Sequence, residues 1–417
     1  ASNNTAVGYA ALTANTTGTP NVAIGRGALG ANTTGGGNTA VGDIALGNNT
    51  TASGNTAVGR NSMNVNTEGH SNSALGDTAL FRNTTGDKNV AVGMNALDHN
   101  TTADNNVAVG YDALTANTTG TSNVAVGTDA LKTATTASNN VAVGYAALTD
   151  NTSGTANTAS GDQALANNTT GSSNTAMGTS ALVANTTADN NTAVGYAALT
   201  ANIDGHSNTA VGDTALDANT SGDSNVAIGR YALTANTTAN ANVAVGQSAL
   251  GTNTTGASNV AVGTSALGAN TTAGSNTGVG YAALAANITG ANNTAFGANS
   301  LLVNTTGLDN VAVGATTLDA NTTASYGTAV GKGALTTNTT GASNTAVGFK
   351  SLEVNTTGHS NTAVGNSAGD NITTGDSNII IGSGMDAPSA TADSQLNIGS
   401  WIYGSGGNIG FGVTAPS

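Results

Sequence analysis

Three histidines, His70, His206 and His359, recur in one setting, Gly-His-Ser-Asn. A repeated imidazole raises metal ligation. The three lie far apart in sequence, so each is either a solvated loop residue or one member of a ring formed by copies of the chain around an oligomer axis. Asn-Thr-Thr and Asn-Thr-Ser recur along the chain and match the acceptor pattern for N-linked sugars. The competing reading is a turn with stacked Asn and Thr, favoured where Ile203 and Ile288 replace the middle Thr as though that position packs. The aspartates form neither the Gly-Gly-x-Gly-x-Asp nonapeptide nor a loop of spaced oxygen ligands. They read as solubilising charge that discourages lateral association, with weak calcium binding between chains as the alternative. Tyr9, Tyr111, Tyr145, Tyr196 and Tyr281 fall at equivalent places. Their rings either stack on sugars or are ordinary exposed tyrosines. Neither a Ser, His and Asp set nor paired carboxylates stand out, and the abundant Gly lacks the Lys-Ser/Thr of a phosphate loop. The expectation is a non-enzyme without a cofactor or resident metal.

These residues sit on a frame that repeats every 17 residues. Asn, then Thr or Val, then Ala-Val-Gly or a close variant, starts at Asn4, Asn21, Asn38 and onward to Asn361, with a looser version at Asn378. With that Asn as position 1, the consensus is N-[TV]-A-V-G-x-x-A-L-x-x-N-T-T-[GA]-x-x, in 23 units. Ala1, Ser2 and Asn3 fit the last three positions of a preceding unit, as in a cut from a longer array. Gly holds position 5 in every unit, and Leu at position 9 yields only to Met63, Gly369 and Asp386. All charged side chains except Glu68, Asp204 and Asp386 fall at positions 6, 7, 10, 11, 16 or 17. Those six positions are the expected solvent face.

Composition agrees with a repeat architecture. Charged residues are 7%, aromatics 3%, and 58 of 417 residues are Gly, which excludes a large globular core. Three prolines and a regular β-branched pattern argue against disorder. A net charge of −14 gives no footprint for nucleic acid or an anionic membrane. No stretch reaches the roughly 18 apolar residues of a membrane-spanning helix, so membrane insertion is not expected. Any export signal or anchor is expected outside this sequence. The absence of Cys removes a disulfide framework and thiolate metal sites.

A 17-residue unit is too short for a helix pair, and its β-branched run between Asn and Gly reads as a strand. The fold expected is therefore all-β: a parallel β-solenoid, or β-roll, of about 23 coils. Positions 8 and 9 are expected to open a second short segment. With neighbouring strands about 4.8 Å apart, 23 coils give a rod of about 110 Å. The shaft is expected over residues 1–377, with a degenerate last coil and a transition segment over 378–417. Core candidates are Ala6, Val7, Gly8 and Leu12 in the first unit and Ala23, Ile24 and Leu29 in the second. Ladder candidates are Asn4, Asn15, Asn21 and Asn32. In the strand, positions 2 and 4 share one side and Ala at position 3 takes the other. Both sides are apolar or small, and one thin coil covers only one of them. A second copy of the chain is the simplest cover, so a homo-oligomer is expected.

The N-[TV]-A-[VI]-G motif resembles the head repeats of YadA-like trimeric adhesins, and the longer A-L-x-x-N-T-T-G unit looks like repeats of bacteriophage tail fibres. The resemblance covers residues 1 to about 394. In the adhesins such repeats form trimers of parallel β-rolls with a unit of about 14 residues, against 17 here. Gln395-Leu-Asn-Ile-Gly, Trp401-Ile-Tyr-Gly and the stretch from Asn408 to Pro416 are similar to fibre segments that precede an endosialidase-type intramolecular chaperone. The resemblance implies a homotrimeric, extracellular, non-catalytic shaft on a virion surface that projects a host-attachment element toward a cell-surface glycan or protein receptor. The alternative is a bacterial adhesin head that binds through the array itself. A third class, ice binding by regular Thr rows, is testable by thermal hysteresis.

Overall fold

The computed structural model describes residues 2–405 and 408–411. It is an all-β parallel β-solenoid with a 17-residue turn, divided into two compact units, Ala1–Asn208 and Thr209–Ser417. The first unit carries strands β1–β12, three residues each, from Thr5–Val7 to Thr192–Val194 in 17-residue steps. Within the unit each pairs in parallel with the next so that residue i faces i+17, as in Thr5↔Val22 and Ala6↔Ala23.

In the second unit, β13–β24 run in the same way from Thr209–Val211 to Leu396–Ile398. The ladder crosses residues 377 and 378 without a change of sense. Gln395 takes the place of the position-1 Asn, its N–H donating to Asn378 Oδ1 at 2.9 Å. Pairing turns antiparallel only after β24, where β25 (Ile402–Ser405) and β26 (Asn408–Phe411) fold back. Residues 412–417, which include the end of the stretch from Asn408 to Pro416, lie outside the described residues.

Stacking supplies most of the backbone pairing outside the strands too. Thr5 N donates to Asn21 O at 2.9 Å, Gly25 N to Val7 O at 2.8 Å, Leu12 N to Ala28 O at 3.1 Å and Thr16 N to Thr33 O at 2.9 Å. Each coil thus bonds to its neighbours at several places around the turn, which is why a lone coil has no stable form. Position 5 needs Gly twice over. Gly127 has φ +137°, and an added Cβ would lie 2.3 Å from Gly144 O in the next coil.

The interior is built from positions 1, 3, 8, 9, 12 and 15. Ala23, Ala28, Leu29 and Asn32 are fully buried. Positions 8 and 9 form turns rather than a second strand, and Leu29 adopts φ 49°, a left-handed conformation repeated by the Leu of almost every coil. Left-handed backbone at a non-Gly residue costs about 1–2 kcal/mol. It persists because it aims Leu into the core while the chain reverses.

The core expectation needs correction at Val7 and Ile24, which lie outside at 58% and 40% exposure. Position 3 turns inward, and the space it faces is filled by Leu. A Cβ on Gly278 would meet Leu267 Cγ at 3.4 Å, leaving room for a methyl group and not for Val. Ala6 and Gly8 are exposed and Leu12 half-buried because the first coil is stacked on one side only. One late coil confirms the volume rule by reversing it. Gly369 replaces Leu, and buried Ile372 and Ile380 fill the vacated space, their carbons 3.3 and 3.4 Å from where a Gly369 Cβ would sit.

Candidate interaction face

The inward polar residues are committed to the stack. Gly35 O accepts from Asn21 Nδ2 at 2.9 Å and from Asn32 Nδ2 at 3.0 Å, so the position-1 and position-12 amides of one coil converge on one carbonyl. Asn32 Nδ2 also donates to Asn15 Oδ1 at 3.0 Å, and Asn21 N donates to Asn4 Oδ1 at 2.7 Å. Asn4, Asn15, Asn21 and Asn32 therefore occupy the coil-to-coil ladders expected for them. This geometry bears on the sugar-acceptor pattern as well. The Asn of those sequences is position 12, fully buried from Asn32 onward with Nδ2 engaged, so the folded array offers no free amide there among the described residues.

His70, His206 and His359 each use Nδ1 to accept the position-16 N–H of the preceding coil: Ser53 N at 3.0 Å, Asp189 N at 3.0 Å and Ala342 N at 2.9 Å. Ser138, Asp87 and Asn240 accept at the same place in their own coils. The signal was available in the sequence, since position 16 is rich in short acceptor side chains. It was missed because His was weighed as a solvated loop residue or a ligand, and not as an acceptor for the neighbouring coil's backbone. Among the described residues, no group of three or more His, Asp or Glu could hold a metal ion.

Outside, charges pair from coil to coil, as in Arg26–Asp43 at 2.8 Å and Arg60–Asp77 at 2.6 Å, and each carboxylate raises the pKa of its guanidinium partner. Such exposed pairs contribute little to stability. Asp98 and Asp319, at position 10, are pushed above the ordinary carboxylate range chiefly by burial, and each has one oxygen without a hydrogen-bond partner. Tyr9, Tyr111, Tyr145, Tyr196 and Tyr281 are exposed at 46–84%, and no two of them lie in consecutive coils.

The feature that sequence reasoning misplaced is the outer face of the strands. Positions 2 and 4 point away from the interior throughout each unit. Position 4 presents Ile24, Leu75, Val143 and Met177 in the first unit, and Ile228, Phe296, Val313 and Val364 in the second, each 38–52% exposed. The row is apolar in every coil except at Ser160. Monomeric proteins rarely leave a long contiguous apolar patch in water. No protein-family model matches the chain, and no curated protein matches it.

Proposed function

We propose that the chain is the structural, non-catalytic shaft of an extracellular homotrimeric fibre, most like that of a phage tail, which projects a host-attachment element. The observation that carries this reading is the row of outward apolar side chains at position 4. Copies of the chain are the natural cover, because an equally regular partner surface matches a row that repeats once per coil. Covering about two-fifths of a Val or Ile contributes roughly 0.6–1.2 kcal/mol per coil at about 1.5–3 kcal/mol per fully buried side chain. A dozen coils then supply about 7–14 kcal/mol, comparable to the roughly 4–15 kcal/mol cost of association. Strand position 2 adds to that sum.

The chain has no Cys, so single cysteines report proximity between copies cleanly. Val126→Cys, at position 4, is expected to form cross-linked dimers of the chain on mild oxidation, while Thr119→Cys, on the exposed position-14 row, is not. Equal cross-linking at the two sites would remove the assembly. Antibody labelling in electron microscopy tests the owner: labelled virion fibres support the shaft, and a labelled bacterial surface would replace it with the adhesin reading.

A further inference from the structure

Two departures from the repeat meet at one place in the second unit. Position 10 shrinks to Gly251, Gly268 and Ala285 in three successive coils, between Thr234 and Leu302. The Gly residues answer no backbone need: neither has positive φ, and added Cβ atoms would come no closer than 3.3 Å at Gly251 and 3.2 Å at Gly268. What they provide is space, a groove of about 560 Å³. At its end stands Tyr231, the one aromatic residue at position 7, held at φ 60° where nearby coils have Ser248, Ser265 and Ala282. Position 7 is left-handed in nearly every coil, so the backbone does not single out Tyr231; its aromatic side chain beside the small residues of position 10 does.

The geometry points to a binding site for a neutral oligosaccharide lying along this groove. Its wall is the Tyr231 ring, fixed by the Arg230 guanidinium 4.4 Å from its centre and by a 2.6 Å hydrogen bond from Arg230 Nη2 to the phenol oxygen. An amphipathic ring of this kind offers an apolar face to the C–H face of a sugar and a hydroxyl to its rim. Ser248 and Ser265 line the same side, and their hydroxyls, donors and acceptors alike, make no hydrogen bond among the described residues. No ionised side chain lines the groove, which disfavours a charged ligand. Its three-coil floor is about 10–14 Å long at the strand spacing, suited to a disaccharide or trisaccharide. The lining residues occupy positions 7, 10 and 11, not the strand positions 2 and 4, so the site does not depend on the shaft reading.

The test titrates the intact protein with cellobiose, maltotriose, lactose, mannotriose and chitotriose, and with a sialylated trisaccharide as the charged control, following chemical shifts. Saturable binding of at least one neutral sugar is expected. It should weaken at least tenfold in Tyr231→Ser and in Gly268→Leu, and survive in Tyr231→Phe. Tyr231→Ser installs the residue of the neighbouring coils, so its melting temperature should not fall, which separates a binding role from a structural one. No saturable neutral sugar, binding of the charged control alone, or binding undiminished in both Tyr231→Ser and Gly268→Leu would each overturn the site. Cross-linking at Val126→Cys is read separately, so failure here leaves the shaft untouched.

Discussion

The buried Asn ladder of position 12 is interrupted at Ala134, and the interruption has a visible cost. Asn117 Oδ1, the acceptor that the next Asn would engage, has no partner. On the other side, Asn151 Nδ2 donates to Gly154 O at 3.0 Å, whereas Asn168 Nδ2 donates both to Asn151 Oδ1 at 2.8 Å and to Gly171 O at 2.9 Å. Ala134→Asn would return a donor to Asn117, an acceptor to Asn151, and a donor to Ala137 O. Relieving one orphaned acceptor is worth about 1–3 kcal/mol and each neutral hydrogen bond about 1 kcal/mol, against about 1–3 kcal/mol to bury the new amide. The net expected gain is about 1–3 kcal/mol. A repeat array opens locally, so the effect belongs in native-state hydrogen exchange rather than in a single melting temperature. Exchange at the amides of Leu114, Leu131 and Leu148 should slow about tenfold per 1.4 kcal/mol, while Leu29 in the second coil should be unaffected. Unchanged or faster exchange around residue 134 would show that the ladder is not a source of stability.

Three further outcomes follow from the same geometry. Gly127→Ala, which drives a Cβ to 2.3 Å from Gly144 O at φ +137°, should destabilise its coil by about 3 kcal/mol or more, whereas Gly251→Ala should cost under about 1 kcal/mol; chemical denaturation distinguishes them. Asp98 and Asp319 have folded pKa values above their unfolded ones, so each contributes stability at low pH that is lost as pH rises through the raised value. The double variant Asp98→Asn, Asp319→Asn should therefore be more stable than the parent at neutral pH, with the difference shrinking on acidification toward the ordinary carboxylate range. Finally, Val92→Glu, Val109→Glu and Val126→Glu together should leave the circular dichroism of the coil nearly unchanged, because these side chains are already partly exposed, yet abolish association.

The period, the strand at positions 2 to 4, the fixed Gly and the Asn ladders were all legible in the sequence, because each repeats at one register and has a single physical use. The inward side of the strand was not. Ala and Val are both apolar, so alternation marks two sides without saying which is inside, and transfer free energy alone would bury Ile24 before Ala23. Packing decides otherwise, because Leu29 and its equivalents leave only a methyl's width. The left-handed Leu has no sequence mark, since Leu is not a residue that signals positive φ. The groove escaped notice because Gly251, Gly268 and Tyr231 look like ordinary variation until the coils are stacked.

Whether copies of this chain cover the apolar strand face is decided by the solution mass from light scattering. A mass about three times the 39.8 kDa of one chain is expected, falling to one chain in the triple Glu variant. A parent protein that stays at the mass of one chain would contradict it.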